Sequence, residues 1–279
     1  MTIKDAVRKY SNLLKDVTHI PAKEIEILIM YILDKNSIWL HLNYDKEFNE
    51  ISKLEELVKK RATHYPMEYI INKASFYGEQ FIVESGVLIP RPETEILIDK
   101  AKEILEDELK YVTKPVKILE IGTGSGIISV TLAMMFENIE IIAVDINEKA
   151  LNLAQKNAKK FNVSQKIKFL NSNLFENISD DDIFMVVSNP PYIKNSYILP
   201  KNVEFEPKNA LFGGEIGDEL LKEIIKSSFK KGVKYLICEM GYDQKSSLEQ
   251  YFKEFNVEFY SFYKDYENFD RGFALKFKN

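Results

Sequence analysis

Histidine, cysteine and long apolar runs are scarce in this chain of 279 residues, and each scarcity excludes a class of function. The three histidines, His19, His41 and His64, are dispersed without metal-ligand spacing, so metal chemistry is not indicated. The single cysteine, Cys238, has no disulfide partner in the chain and follows apolar residues, which favours a buried strand residue over a nucleophile. Neither a membrane-spanning run nor a signal peptide is recognisable, which predicts a cytoplasmic protein.

Excess positive charge is absent as well. The formal net charge is −5, and residues 1 to 90 carry 12 basic and 13 acidic side chains. Because such a chain has no electrostatic attraction to polyanions, direct binding of nucleic acid is not expected. One basic cluster, Lys59-Lys60-Arg61, is interpreted as the solvated face of a helix.

Residues 1 to 73 predict a small helical domain. Apolar side chains in residues 24 to 33 recur at i, i+3, i+4, i+7 and i+8, which places them on one helix face, and residues 51 to 58 show a second amphipathic pattern. Residues 74 to 90 change to alternating apolar positions with turn-forming Gly78, which predicts a β-hairpin linker.

Residues 91 to 279 contain β-rich runs that alternate with helical patterns. This alternation predicts the doubly wound α/β class, a mostly parallel sheet with helices on both faces. The predicted strands are Val116 to Ile121, Ile139 to Val144, Ile167 to Leu170, Ile183 to Ser188, Val233 to Glu239 and Phe273 to Phe277. The acidic run Asp180-Asp181-Asp182 is interpreted as a turn before the fourth strand.

A glycine-rich turn follows the first of these strands. Gly122-Thr123-Gly124-Ser125-Gly126 allows the backbone to approach a ligand closely, and an apolar helix from Ile127 to Phe136 follows. A dinucleotide fingerprint would require glycine or alanine where Ile127 stands. The tighter spacing is instead similar to the first motif of class I methyltransferases, which bind S-adenosylmethionine.

Three more residues extend the predicted cofactor site. Asp145 ends the next strand, 19 positions after Gly126, where a carboxylate can accept hydrogen bonds from ribose hydroxyls; the alternative is a cap for the helix beginning near Asn147. After the third strand, Asn173 and Leu174 stand where such enzymes contact adenine. Aspartate is usual at the position of Asn173, although an asparagine carbonyl can also accept from an amino group.

The motif Asn189-Pro190-Pro191-Tyr192 follows the fourth strand, at the carboxyl edge of the sheet. An amide nitrogen is a poor nucleophile because its lone pair is delocalised. The Asn189 side-chain carbonyl and the Pro190 backbone carbonyl can each accept one N–H of a planar –NH₂ group, and Tyr192 offers a face for stacking. We therefore interpret the motif as catalytic, with Asn189 beside the cofactor, rather than as a simple turn. Adenine, guanine and glutamine all present such a group.

With these motifs placed, the chain resembles the HemK-type peptide chain release factor glutamine methyltransferases along nearly its full length. The match includes Ile89 to Glu95, Ile121 to Gly126, Asn189 to Tyr192 and Glu206 to Gly214. The resemblance implies a class I methyltransferase fold with a seven-stranded sheet and S-adenosyl-L-methionine as the cofactor, with S-adenosyl-L-homocysteine as the product. It also implies methyl transfer to the glutamine amide in the Gly-Gly-Gln loop of bacterial-type release factors.

Roles for the remaining segments follow from the same resemblance. Residues 1 to 73 would help to bind the release factor, residues 74 to 90 would link, and residues 91 to 279 would carry catalysis, in a monomer. Further substrate contacts are implied for Leu88, Arg91 and Glu93. For Arg91 to Glu95, an alternative is helix initiation, with Pro92 in the first turn and the acidic side chains complementing the helix dipole.

Two other function classes stay open. Nucleic-acid amino methyltransferases share the Asn189 to Tyr192 motif and would act on adenine or guanine. A non-catalytic binding module could keep the fold without the reaction. Besides Asn173, one departure from the family is Ile216, where aspartate is frequent, and it leaves the local loop geometry open.

Overall fold

A computed structural model describes residues 1–112, 114–179 and 182–278 of the chain. Contacts between residues divide it into two units. The smaller unit comprises residues 1–73 and 199–205, and the larger comprises residues 74–198 and those from 206 onward. The segment predicted as a linker therefore clusters with the larger unit. Asp180 and Asp181, in the predicted acidic turn, lie outside the described residues.

The smaller unit is built from helices α1 (Ile3–Ser11), α2 (Pro21–Leu33), α3 (Ser37–Leu42), α4 (Ile51–Ala62) and α5 (Met67–Ile71). Thr2 caps α1 by accepting a backbone hydrogen bond, and Pro21 begins α2 where its missing N–H is not needed. On α2, the fully buried residues Ile25, Leu28 and Ile29 form the core face that the periodicity predicts.

The basic cluster on α4 is only partly the predicted solvated face. Lys59 and Lys60 are exposed, whereas Arg61 is buried, so the interpretation is wrong for Arg61. Its Nε and Nη2 atoms donate to the Glu24 carboxylate at 2.7 and 3.0 Å. A buried charge is costly unless it is paired and hydrogen-bonded, and this bidentate contact from α4 to α2 meets both conditions.

The strands of the chain are β1 (Lys73–Phe76), β2 (Glu79–Ile82), β3 (Val116–Ile121), β4 (Ile139–Asp145), β5 (Ile167–Asn171), β6 (Ile183–Ser188), β7 (Ile193–Lys194), β8 (Phe212–Gly214), β9 (Tyr235–Glu239), β10 (Val257–Lys264) and β11 (Asp270–Phe277). The first two form the predicted hairpin, and β7 pairs with β8. Seven strands make the main sheet in the order β10-β11-β9-β6-β3-β4-β5, with β11 antiparallel to both of its neighbours. The predicted seven-stranded, mostly parallel sheet is thus confirmed.

Both faces of this sheet are covered by the helices α6 (Thr94–Glu108), α7 (Ile127–Met135), α8 (Glu148–Lys160), α9 (Glu219–Lys230) and α10 (Lys245–Phe252). Along β3, Ile118 packs into one apolar layer and its neighbour Leu119 into the other. Cys238 on β9 is fully buried, as predicted. Strand β10 is absent from the predicted set, because it is an edge strand whose aromatic residues, such as Phe259, are largely exposed.

Strand order reverses at β3. The chain runs from β3 through β4 to β5 at one edge, then returns to place β6 on the other side of β3. The loops that follow the carboxyl ends of these parallel strands therefore gather along one edge of the sheet, where open α/β folds bind ligands.

Candidate functional site

A cleft of about 980 Å³, including space open to solvent, lies at this carboxyl edge. The predicted site residues that line it are Leu88, Arg91, Gly122, Thr123, Gly124, Ser125, Asp145, Asn173, Leu174, Asn189 and Pro191. Those that do not line it are Glu93, Gly126, Pro190 and Tyr192. The folded chain thus brings together segments from four successive strands, and the contacts around each show what it can do.

The glycine loop is held against β4 by its backbone. The N–H groups of Gly122 and Thr123 both donate to the Val144 carbonyl at 2.9 Å. Gly126 has a packing role, and its predicted ligand contact stays a prediction. A Cβ atom there would lie 2.9 Å from the Ala154 Cβ atom on α8, so its small size serves the packing of the loop against that helix.

Asp145 is held at the cleft by two backbone donors. Its Oδ2 atom accepts from Gly124 N and its Oδ1 atom from Asn147 N, each at 2.9 Å. The cap of α8 is Asn147 itself, whose side chain accepts from Lys149 N at 3.0 Å. The alternative reading of Asp145 as the helix cap is therefore unnecessary, and its fixed carboxylate is available to hydroxyl donors in the cleft.

Sequence reasoning missed Glu120, the last but one residue of β3, which lines the cleft. Its Oε2 atom accepts from the hydroxyls of Thr123 and Ser129, while its buried Oε1 atom has no hydrogen-bond partner among the described residues. Burial raises the pKa of Glu120 to about 7. An unpartnered buried carboxylate oxygen beside an open cleft fits a ligand that carries a polar donor.

Past the end of β5, Asn173 is exposed and its amide nitrogen donates to Glu176 Oε1 at 2.9 Å. Its carbonyl oxygen therefore remains for a donor on a ligand, and its predicted contact with adenine stays a prediction. Leu174 adopts a left-handed backbone (φ 49°), which costs energy for a leucine and turns the chain at the cleft wall.

The Asn189 amide has a fixed partner on α6. Its Nδ2 atom donates to Thr94 Oγ1 at 3.0 Å, and the Thr94 hydroxyl donates to Glu239 Oε2 at 2.7 Å. With the nitrogen engaged, Oδ1 is the amide atom left for a ligand in the cleft. The Tyr192 hydroxyl donates to Glu239 Oε1 at 2.8 Å and its ring packs against the core, while the expected stacking of a planar group on this ring is untested.

The backbone of this motif contacts two later segments of the chain. Gln244 Nε2 donates to the Tyr192 carbonyl at 2.9 Å. Gly213 lies so close to the Pro191 carbonyl that any Cβ atom would collide with it, which explains the double glycine ahead of α9. Ile216 is exposed, and Glu219 accepts from the backbone of its loop at 2.9 Å, so the departure at Ile216 leaves that loop closed.

An ion pair holds Arg91, which lines the cleft. Arg91 Nη2 lies 2.6 Å from Glu206 Oε1, and Glu206 Oε2 accepts from Ile89 N at 3.0 Å. Arg91 is therefore tied to the wall in this structure. Glu93 precedes α6 without a side-chain capping bond, and Leu88 lines the cleft, where its substrate contact stays a prediction.

Comparison with known proteins decides the family. The PrmC N-terminal domain model matches residues 5–71, and the methyltransferase small domain model matches residues 94–204. Release factor glutamine methyltransferases of Dictyoglomus turgidum and Buchnera aphidicola are 41% and 34% identical over 75% and 97% of this chain, covering 74% and 98% of their own lengths. The chain belongs to the release factor glutamine methyltransferase family.

Other relatives are longer than this family member. A bifunctional methyltransferase of Rickettsia conorii is 34% identical over 90% of this chain, which spans 53% of that protein. Among solved structures, the N-terminal domain of human METTL16 is 18% identical with a TM-score of 0.56, over 85% of this chain and 87% of that one. A second structure of that domain, in complex with SAH, has a TM-score of 0.53 at 19% identity over 69% and 74% of the two chains. These likenesses show the class I methyltransferase fold.

Among the described helices, none combines the length and the apolar character that crossing a bilayer requires.

Proposed function

We propose that this protein transfers a methyl group from S-adenosyl-L-methionine to the side-chain amide of the glutamine in the Gly-Gly-Gln loop of peptide chain release factors. The observation that carries the proposal is the Asn189 amide, whose nitrogen is fixed by Thr94 so that its carbonyl is free at the cleft. Together with a second carbonyl acceptor, this carbonyl would match the two N–H donors of a planar –NH₂ group, whereas a hydroxyl or thiol has only one donor.

The cleft has the donor and acceptor groups that the cofactor needs. The Asp145 carboxylate would accept hydrogen bonds from the hydroxyls of the cofactor, and the unpartnered Glu120 oxygen would accept from its amino acid part. The Asn173 carbonyl and Leu174 would contact its adenine. When bound, S-adenosylmethionine supplies a methyl group on a positively charged sulfur, which is a strong electrophile. Gly122 to Ser125, which also line the cleft, would contact the bound cofactor as well.

The reaction then depends on orientation. The Asn189 carbonyl would accept one amide N–H and the Pro190 backbone carbonyl the other, which orients the nitrogen lone pair for transfer. Because Pro190 is buried and does not line the cleft, its contact with the substrate stays a prediction. The amide nitrogen would gain the methyl group that the cofactor supplies, the sulfur would keep the electron pair of its bond to that carbon, and one amide proton would leave to solvent. No general base is required beforehand, because the N–H becomes acidic only as the methyl group arrives. Stacking of the amide on Tyr192 stays a prediction.

We assign binding of the release factor to the helical residues 1–73, linkage to residues 74–90 and catalysis to residues 91–279. A monomer acting in the cytoplasm on protein alone, without direct binding of nucleic acid, completes the proposal. Leu88, Arg91 and Glu93 would border the substrate.

The test is a labelling assay with methyl-labelled cofactor. Release factor should become labelled, and its variant with alanine for the Gly-Gly-Gln glutamine should not. Label in the variant would contradict the assigned target atom. Label in added DNA or RNA, with the steep salt dependence of phosphate contacts, would favour a nucleic-acid amino methyltransferase. Calorimetry without detectable cofactor binding would favour a non-catalytic module.

A further inference from the structure

A single buried carboxylate lies behind both ends of the catalytic motif. Glu239 ends β9, the strand next to β6, and is only 1% exposed. Its Oε1 atom accepts from the Tyr192 hydroxyl, and its Oε2 atom accepts from the Thr94 hydroxyl. Since Thr94 Oγ1 also accepts from Asn189 Nδ2, the first and last residues of the motif are held by one side chain.

While Glu239 is ionised, this chain of hydrogen bonds can run in only one direction. A carboxylate only accepts, so Thr94 must give it the single hydroxyl proton. The Thr94 oxygen can then only accept from Asn189, which turns Nδ2 toward Thr94 and Oδ1 away from it. If the amide were reversed, two acceptor oxygens would face each other at the 3.0 Å contact with no proton between them.

We infer that Thr94 and Glu239 are positioning residues, which impose on Asn189 the amide orientation that methyl transfer to a planar –NH₂ group requires. The inference rests on the proposed function, because it concerns the same carbonyl. Amide oxygen and nitrogen are nearly equal in size, so shape alone does not prevent reversal of an asparagine. A reversed Asn189 would present N–H donors to a substrate that also presents donors.

The charge of Glu239 depends on its surroundings. Burial raises its pKa, the nearby carboxylate of Glu93 raises it further, and the positive charge of Arg271 and the donated hydroxyls lower it. Burial also raises the pKa values of Tyr192 and Tyr263, so both phenols stay protonated. Once acid protonates Glu239, the carboxyl group can donate to Thr94, and the amide is free to reverse. The transfer rate should therefore fall on the acid side.

Thr94→Val removes the hydroxyl at nearly constant volume, and Thr94→Ser keeps it. Thr131→Val is the matched control, since Thr131 is a buried threonine on α7 outside the cleft. We expect Thr94→Val to lower the single-turnover rate about tenfold or more, with cofactor affinity within about twofold, while Thr94→Ser recovers most of the rate. A wild-type rate in folded Thr94→Val would overturn the inference.

Glu239→Gln gives a second readout that a merely structural role would not move. Glutamine can donate as well as accept, so the direction of the chain is lost while the shape is kept. The variant should be slower than the wild type at pH values above the wild-type acid limb and should itself lack that limb. An unchanged rate with the acid limb intact would overturn the inference.

Failure of the proposed function can be distinguished from failure of the positioning inference. If the wild type labels no release factor, that function is wrong, and the positioning inference is then tested by NMR of the Asn189 side-chain amide. One amide proton should be protected from exchange in the wild type and in Thr131→Val, and should lose protection in Thr94→Val. Equal protection in all three proteins would contradict the inference.

Discussion

Gly126→Ala tests whether the third glycine of the cofactor loop serves packing. Gly126 precedes α7 with φ 81°, and an added Cβ atom would lie 2.9 Å from the Ala154 Cβ atom and 3.0 Å from its Cα atom. The neighbour is part of α8 rather than a flexible side chain, so helix and loop must separate to admit the methyl group.

The cost has two parts. A left-handed backbone costs an alanine about 1–2 kcal/mol. Overpacking against a fixed helix adds about 1–3 kcal/mol. Gly232 isolates the first part, because it has a similar φ of 68° and nothing within 4 Å of the added atom. We therefore expect Gly126→Ala to destabilise by about 2–5 kcal/mol and Gly232→Ala by about 1–2 kcal/mol.

Urea unfolding followed by far-UV circular dichroism measures the stability of both variants. The midpoints are compared directly if the dependence of the unfolding free energy on urea concentration is unchanged. Near-equal losses of stability for the two alanines would refute the packing role. If Gly126→Ala kept full stability and lost only cofactor affinity, the ligand contact predicted from sequence would be the better explanation.

Two more predictions concern buried charges. Arg61→Ala leaves the buried Glu24 without its partner and should lower the stability of the helical unit by about 3–5 kcal/mol, measured by unfolding followed through the fluorescence of Trp39. Arg8→Ala removes one partner of an exposed pair and should lower stability by about 0–1 kcal/mol. Similar losses of stability for the two variants would contradict the importance of the buried pair. Because burial raises the pKa of Glu120 to about 7, above its unfolded value, its protonation stabilises the fold at low pH, and that contribution disappears as the pH rises through 7. Relative to Glu120→Gln, the cofactor-free wild type should lose about 3 kcal/mol of stability between pH 4.5, the ordinary pKa of the group, and pH 7. Parallel pH dependences of the two proteins would exclude the raised pKa.

Local patterns predict most of the fold. The parallel strands are buried on both faces, so they appear in the sequence as short apolar runs, and β3 with its glycine turn is the clearest example. Strand β10 lacks that signal because it lies at the edge of the sheet with Phe259 and Tyr260 partly exposed. The burial of Arg61 depends on Glu24, 37 positions away, which periodicity within one helix cannot reveal.

The residues of the candidate site were likewise predictable from the sequence only in part. Residues that follow strand ends, such as Asp145 and Asn189, could be placed because parallel strands deliver their carboxyl ends to one edge. Thr94 and Glu239 are 145 positions apart, and their pairing depends on how α6 packs against β9. A carboxylate at the end of an apolar strand, as at Glu120 and Glu239, is a sequence signal that could have pointed to them, although the sequence analysis assigned neither a role.

The most direct test of the account is Asn189→Ala, measured by single-turnover methyl transfer to release factor together with calorimetry of cofactor binding. The account predicts that cofactor affinity stays within about threefold while transfer slows by about a hundredfold or more, because orientation of the amide is lost. Transfer at the wild-type rate in the folded variant would contradict the claim that the Asn189 carbonyl holds the substrate nitrogen.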